Sequence, residues 1–247
     1  MNDRLRCLVF DVDGTLANTE RDGHRVAFNR GFAEAGLDWH WSVDFYGELL
    51  TVSGGKERIK YFLKRYLPEF SPTGSLDSFV ADLHQLKTQH YLELLHSGAI
   101  ALRPGAKRLM EEARAAGITL AIATTTSLPN VIALLEKYLD LDWFAVIAAG
   151  DIVPAKKPAP DIYHYVVKYL DLPRQSLVVI EDSDNGLESA IAAGLTTVVT
   201  VNNYTLKQDF SSAALVVSDL GEPESPCQVI QGNLPQGYLD LASLRSL

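Results

Sequence analysis

The chain has 247 residues, enough for one large domain or two modest ones with a buried core. Hydrophobic residues make up 47% and charged residues 21%, an ordinary composition for a globular protein. The formal net charge of −9 argues against a general affinity for nucleic acid or anionic membrane, so an anionic substrate must be held by local positive groups.

The cysteines and the N-terminal sequence indicate in which cellular compartment the protein is expected. Cys7 and Cys227 form neither a disulfide framework nor a metal-finger spacing. The N-terminal residues lack the pattern of a secretory signal, and no apolar run approaches the roughly 18 residues of a membrane helix. We therefore expect a cytoplasmic protein, or one of the plastid stroma if a transit segment has been removed. A monomer is the expected state.

Five short apolar runs predict strands that are buried on both faces. Helical patterns lie between the later runs, with glycines such as Gly117 and Gly194 at their ends. This alternation is typical of an α/β protein with a Rossmann-like parallel sheet. In chain order the runs are Cys7 to Phe10, Ile118 to Ala123, Phe144 to Ala149, Leu177 to Ile180 and Thr197 to Val201.

One long stretch interrupts the alternation. Residues 19–99 are rich in helix formers and aromatic side chains and contain no convincing buried strand. We interpret them as an all-helical cap domain inserted into a core made of residues 1–18 and 100–247. The C-terminal stretch from about Ser218 predicts a loop that leads to a final short helix.

Polar residues follow four of the apolar runs, at the carboxyl ends where open parallel sheets bind their ligands. Carboxylates that gather there repel one another unless a cation lies between them. Asp11, Glu181 and Asp182 supply hard oxygen ligands, which favour Mg²⁺ over zinc or copper. The residues at these ends are Asp11, Asp13, Gly14, Thr124, Thr125, Lys156, Lys157, Glu181 and Asp182.

This arrangement predicts phosphoryl transfer. Asp11 attacks phosphorus and forms an aspartyl-phosphate, which splits one difficult step into two. Asp13 protonates the leaving oxygen and later takes a proton from the attacking water. Thr124, with Thr125 beside it, and Lys157 bind the phosphoryl oxygens, whose charge is spread in the transition state. The expected partner is a small sugar phosphate.

The chain resembles the phosphatases of the haloacid dehalogenase superfamily that carry a helical cap. The resemblance is carried by FDVDGT (Phe10–Thr15), IATTTS (Ile122–Ser127), KKPAPDIY (Lys156–Tyr163) and VIEDSDNG (Val179–Gly186). It implies Asp11 as nucleophile, Asp13 as acid and base, and Thr124 and Lys157 as phosphate ligands. It also implies Mg²⁺ bound by Asp11, the Asp13 backbone carbonyl, Asp182 and Glu181.

The cap sequence resembles that of CbbY-type phosphatases of photosynthetic organisms. DGTLANTERDGHRVAFN and LLTVSGGKERIKYFL carry this likeness. It implies hydrolysis of xylulose 1,5-bisphosphate, a misfire product and inhibitor of Rubisco, and so a role in the Calvin cycle. It also implies substrate contacts by Glu20, His24 and Gly54, Gly55, Lys56 and Arg58, the last group binding the distal phosphate.

Two other functions fit the same motifs. A phosphosugar mutase of the β-phosphoglucomutase type shares the motifs and the cap, and no residue separates it from a phosphatase. A non-catalytic phosphosugar-binding protein on this fold is the second alternative, because fold alone does not fix function.

Overall fold

The computed structural model describes residues 5–247. Two compact units are present, one of Met1–Asn18 with Leu102–Leu247 and the other of Thr19–Ala101. Residues 1–4 of the predicted core segment 1–18 lie outside the described part of the chain. The last helix of the second unit ends at His96, and the unit itself ends at Ala101.

The first unit is built on a seven-stranded sheet with the order β3-β2-β1-β4-β5-β6-β7. All neighbouring strands are parallel except β6 and β7, so the predicted α/β fold with a Rossmann-like sheet is confirmed. The strands are β1 (Cys7–Phe10), β2 (Thr119–Thr124), β3 (Phe144–Ala149), β4 (Leu177–Glu181), β5 (Thr196–Thr200), β6 (Leu215–Val217) and β7 (Val229–Gln231).

The second unit is helical, as predicted for an inserted cap. Its core is aromatic, with Phe28, Phe32 and Trp41 packed at centroid distances of 4.8 to 5.9 Å. Such rings bury large apolar areas and stabilise a small unit. The elements are a π-helical turn (Glu20–His24), α1 (Arg25–Glu34), α2 (Val43–Leu49), α3 (Gly55–Tyr66) and α4 (Leu76–His96).

Helices lie between the first five strands of this unit, and one helix follows the last strand. They are α5 (Ala106–Ala115), α6 (Leu128–Tyr138), α7 (Asp161–Leu170), α8 (Asp184–Ala192) and, after β7, α9 (Leu241–Leu244). One expectation was wrong, because the stretch after Ser218 is not only a loop and contains β7. β7 has three residues, none of them buried, so it lacks the apolar run that marks an inner strand. Among the described residues, no helix combines the length and apolarity that crossing a membrane requires.

The central position of β1 decides where a site can form. β1 pairs with β2 on one side and β4 on the other, and Phe10 is in register with both Ile122 and Ile180. The chain therefore changes direction across the sheet at β1. Ligands of such sheets bind at the carboxyl ends of the strands around this switch point.

Candidate active site

Asp11 is the first residue beyond β1, and its backbone N–H continues the ladder by donating to the Ile180 carbonyl at 3.0 Å. Its residue surface is only 6% exposed. A carboxylate buried to this degree requires hydrogen bonds or a nearby cation. The side chain that supplies them comes from the loop after β3.

Lys157 supplies the positive charge. Its Nζ donates to Asp11 Oδ1 at 2.7 Å, to Glu181 Oε1 at 2.6 Å and to the Ala123 carbonyl at 2.8 Å. Burial lowers the pKa of Lys157, but attraction to the two carboxylates outweighs it and the net pKa is raised. Lys157 is therefore a cation whose three N–H groups all have acceptors within the protein.

The acidic cluster consists of Asp11, Glu181 and Asp182. All three are buried, and one carboxylate oxygen of each lies within 4.8 Å of the others. Burial raises the pKa of Asp11 from 3.8 to about 8; Lys157 opposes this rise, and the charges of Glu181 and Asp13 add to it. Three buried carboxyl groups thus face one buried ammonium group, and a further cation would favour ionisation of Asp11.

A hard divalent cation fits this donor set. Carboxylate oxygens are the ligands that Mg²⁺ takes in proteins, and Mg²⁺ keeps some sites for water or substrate oxygens. Glu181 is also engaged elsewhere, because Oε1 accepts from Lys157 and from the Tyr163 hydroxyl. Asp182 is bonded through Oδ2 to the Asn202 amide at 2.6 Å. Asp13 is half-buried beside them.

Four residues of this site were missed from the sequence. Tyr163 donates to Glu181, and burial raises its pKa well above 10.0, so the phenol keeps its proton. Asn202 follows β5 and would have been found by the rule of polar residues after strands. A Cβ on Gly186 would overlap the Glu181 carboxylate. The fourth, Arg103, binds the carbonyl of Gly14.

The predicted threonines lie at the end of β2. Thr124 is buried, its Oγ1 accepts from the Thr126 N–H at 3.3 Å, and its carbonyl accepts from Gly150 at 3.2 Å. Thr125 is half-buried. These bonds fix the loop backbone after β2, which neighbours the strand that carries Asp11.

In the helical unit, Glu20 and Arg58 are brought together through Tyr46. The Tyr46 hydroxyl donates to Glu20 Oε2 at 2.5 Å and accepts from Arg58 Nη1 at 2.9 Å. Arg58 also donates to the Leu49 carbonyl at 3.3 Å and the Val52 carbonyl at 3.2 Å. Arg58 is buried, and these bonds hold it within its own unit.

His24 has a partner that the sequence did not indicate. Lys87 Nζ lies 2.8 Å from His24 Nδ1, and both side chains are buried. An ammonium group can only donate, so Nδ1 accepts and the ring carries its proton on Nε2. The ring also stacks on Tyr91 at 4.3 Å. This fixed imidazole is a hydrogen-bond donor.

The glycines of the cap motif form the start of α3. Gly54 is the N-cap, with a φ of 93° that other residues rarely adopt, and no side chain caps the helix. Gly55 begins the helix and half-buried Lys56 follows it. A helix start with a nearby lysine is suited to an anion.

Comparisons with known proteins show the family of the chain. The haloacid dehalogenase-like hydrolase model matches residues 5–194. The chain is 44% identical over 245 residues to plasmid CbbY of Cupriavidus necator, covering 98% of this chain and 96% of that protein. A crystal structure of a mutant CbbY from Rhodobacter sphaeroides in complex with xylulose 1,5-bisphosphate is 44% identical, with a TM-score of 0.82 over 95% of this chain and 100% of that chain.

Proposed function

The chain belongs to the haloacid dehalogenase-like hydrolases and is a CbbY-type phosphatase, and we propose that it converts xylulose 1,5-bisphosphate to xylulose 5-phosphate with Mg²⁺. The observation that carries the proposal is the position of Asp11. This carboxylate lies at the switch point of the sheet, bonded to Lys157 and clustered with two further carboxylates. The substrate is inferred from the ligand in the similar CbbY structure.

The reaction begins at Asp11. A carboxylate oxygen of Asp11 attacks phosphorus, the bond from phosphorus to the sugar oxygen breaks, and an aspartyl-phosphate forms. Asp13 gives its proton to the departing oxygen, then accepts one from the water that attacks phosphorus and releases phosphate. Lys157 stays bonded to Asp11 and orients it. Asp11, the Asp13 carbonyl, Asp182 and Glu181 would hold Mg²⁺, which neutralises charge between nucleophile and phosphate.

Two cap residues, Glu20 and His24, are proposed to recognise the sugar. Glu20 accepts hydrogen bonds from sugar hydroxyls, with its carboxylate oriented by Tyr46. His24 donates from Nε2, because Lys87 occupies Nδ1. These contacts would give specificity for a polyhydroxylated chain. A ligand without hydroxyls would leave Glu20 and His24 without hydrogen-bond partners in the site, which is costly.

The distal phosphate is proposed to lie at the start of α3. Gly54 and Gly55 allow a close approach to the backbone, and Lys56 adds charge. Arg58 is also proposed to contribute positive charge to this site. Its side chain stays within the helical unit, because it is bonded to the Leu49 and Val52 carbonyls and to the Tyr46 hydroxyl. Xylulose 1-phosphate lacks the second phosphate, which is the group that this site is proposed to bind.

The test is a phosphate-release assay on xylulose 1,5-bisphosphate, with and without Mg²⁺. We expect one phosphate per molecule, xylulose 5-phosphate as product, and no release in EDTA. β-Glucose 1-phosphate serves as the second substrate. Its conversion to glucose 6-phosphate without net phosphate release would show a mutase, and no turnover of either substrate would leave a binding protein.

The distal-phosphate proposal has its own test. Lys56→Met should raise KM for the bisphosphate and leave the KM for xylulose 1-phosphate unchanged. Lys60→Met is the matched control, because Lys60 lies on the same helix and pairs with exposed Asp77 at 2.6 Å. Equal changes for both substrates in Lys56→Met would remove this role.

A further inference from the structure

Arg103 is a buried arginine that neither the family motifs nor the mechanism above uses. It is 7% exposed and follows Leu102, the first residue of the core unit after the helical unit. The charges of Asp182 and Asp219 act on its guanidinium, but the groups that accept its hydrogen bonds within residues 5–247 are backbone carbonyls and one hydroxyl. Its acceptors are the carbonyls of Gly14, Thr200 (3.0 Å), Val201 (2.6 Å) and Ser218, and the Thr200 hydroxyl (3.1 Å).

The bond to Gly14 fixes the loop that carries Asp13. The Gly14 N–H donates to the Ala17 carbonyl at 2.8 Å, and its own carbonyl accepts from Arg103 Nη1. The Asp13 carbonyl shares a planar peptide with the Gly14 N–H and points the opposite way. Binding Gly14 at both ends therefore sets the direction of the Asp13 carbonyl.

The same guanidinium fixes the end of β5. The Thr200 and Val201 carbonyls that it binds come directly before Asn202, whose amide donates to Asp182 Oδ2 at 2.6 Å. Gly14 lies against the same Asp182 oxygen, since a Cβ at Gly14 would overlap Oδ2 and the Asn202 amide. Arg103 thus joins two segments that both contact Asp182.

We propose that Arg103 is a positioning residue for the cation site, holding the Asp13 carbonyl and the Asp182 carboxylate in the orientation that binds Mg²⁺. This inference rests on the proposed metal dependence. The fork of the guanidinium is essential, because Nη1 binds Gly14 and Thr200 while Nη2 binds Val201 and Ser218. A lysine ammonium has one nitrogen with three N–H groups, so it would lose part of these five contacts. Groups that orient metal ligands without touching the metal commonly alter affinity about 10- to 100-fold.

The experiment is calorimetric titration of metal-free protein with Mg²⁺. Arg103→Lys keeps the charge and loses the fork, and we expect its Kd to rise by about 10-fold or more. Arg108→Lys is the matched control, since Arg108 binds the carbonyls of Leu220, Gly221 and Leu239 rather than loops of the acidic cluster. Both variants should lower Tm, but only the first should change the Kd for Mg²⁺.

An Arg103→Lys protein that binds Mg²⁺ as tightly as Arg108→Lys would overturn the inference. If Arg103→Lys does not fold, the Kd for Mg²⁺ is measured on Thr200→Val instead. It removes the hydroxyl that accepts from Arg103 at 3.1 Å, together with that hydroxyl's longer bond to the Glu181 carbonyl at 3.4 Å, and it should weaken Mg²⁺ binding. An unchanged Kd would refute the role. A parent protein that binds Mg²⁺ but hydrolyses no sugar bisphosphate would refute the proposed function and leave this inference standing.

Discussion

Binding of Mg²⁺ to the metal-free protein should release a proton from Asp11. Burial raises the pKa of this carboxyl to about 8, so without a cation the group is mostly protonated at neutral pH. A cation can bind the carboxylate only after the proton leaves. A pKa near 8 gives a release of about 0.9 proton per Mg²⁺ at pH 7 and about 0.1 at pH 9.

The same pKa fixes how affinity depends on pH. At pH 7 the apparent affinity for Mg²⁺ should be about tenfold weaker than its plateau above pH 9, because only about one molecule in ten has Asp11 ionised. The assay is calorimetry in two buffers that differ in ionisation enthalpy, which gives the number of protons released.

Asp11→Asn is the control for this measurement, because the amide cannot titrate. Its Mg²⁺ binding should release no proton at pH 7 and should vary little between pH 7 and 9. The reasoning would be refuted by a parent protein that releases no proton at pH 7, or by an Asn variant that releases as many as the parent.

Three further perturbations test the surroundings of the cluster. Metal-free protein should lose stability as pH rises from about 4 to about 8, since the folded state keeps an Asp11 proton that the unfolded chain releases; urea unfolding should show this slope, and its absence would contradict the raised pKa. Tyr163→Phe should lower the free energy of unfolding by about 1 to 3 kcal/mol by removing a buried donor to Glu181; Tyr165→Phe, in the same helix, should cost less. Gly186→Ala should reduce kcat with little change in KM, because the methyl group displaces Glu181; wild-type kcat would show that the carboxylate tolerates displacement.

The first five strands could be predicted because each lies in a short, mainly apolar run. β1 and β3 begin and end at the predicted residues, and β2 is displaced by one residue. β6 and β7 have three residues each, which is too short to mark a strand without its neighbours. Their pairing depends on sheet contacts that no local pattern contains.

The site was predictable in its motif residues but not in how they pair. Asp11, Glu181 and Asp182 share a chemistry that strand ends bring together, so their gathering followed from the fold class. Lys157 was predicted to bind phosphate, and its bonds to two carboxylates depend on side-chain geometry that spacing does not encode. Arg103 carries no motif signal, because its acceptors are backbone carbonyls.

In the cap, too, the motif residues could be predicted from the sequence and their partners could not. Glu20 and Arg58 were indicated by a family resemblance, whereas Tyr46, which joins them, lies in a helix outside the indicated segments. Lys87 lies 63 positions from His24 in the chain, so only the packing of α4 against the first helical turns reveals the pair.

Nucleophilic attack by Asp11 is the claim on which the mechanism depends, and trapping the phosphoryl-enzyme tests it most directly. Protein mixed with labelled xylulose 1,5-bisphosphate and Mg²⁺, quenched in acid and reduced with borohydride, should yield homoserine at position 11. Rapid phosphate release with no protein-bound phosphoryl group, or reduction at a different carboxylate, would contradict the account.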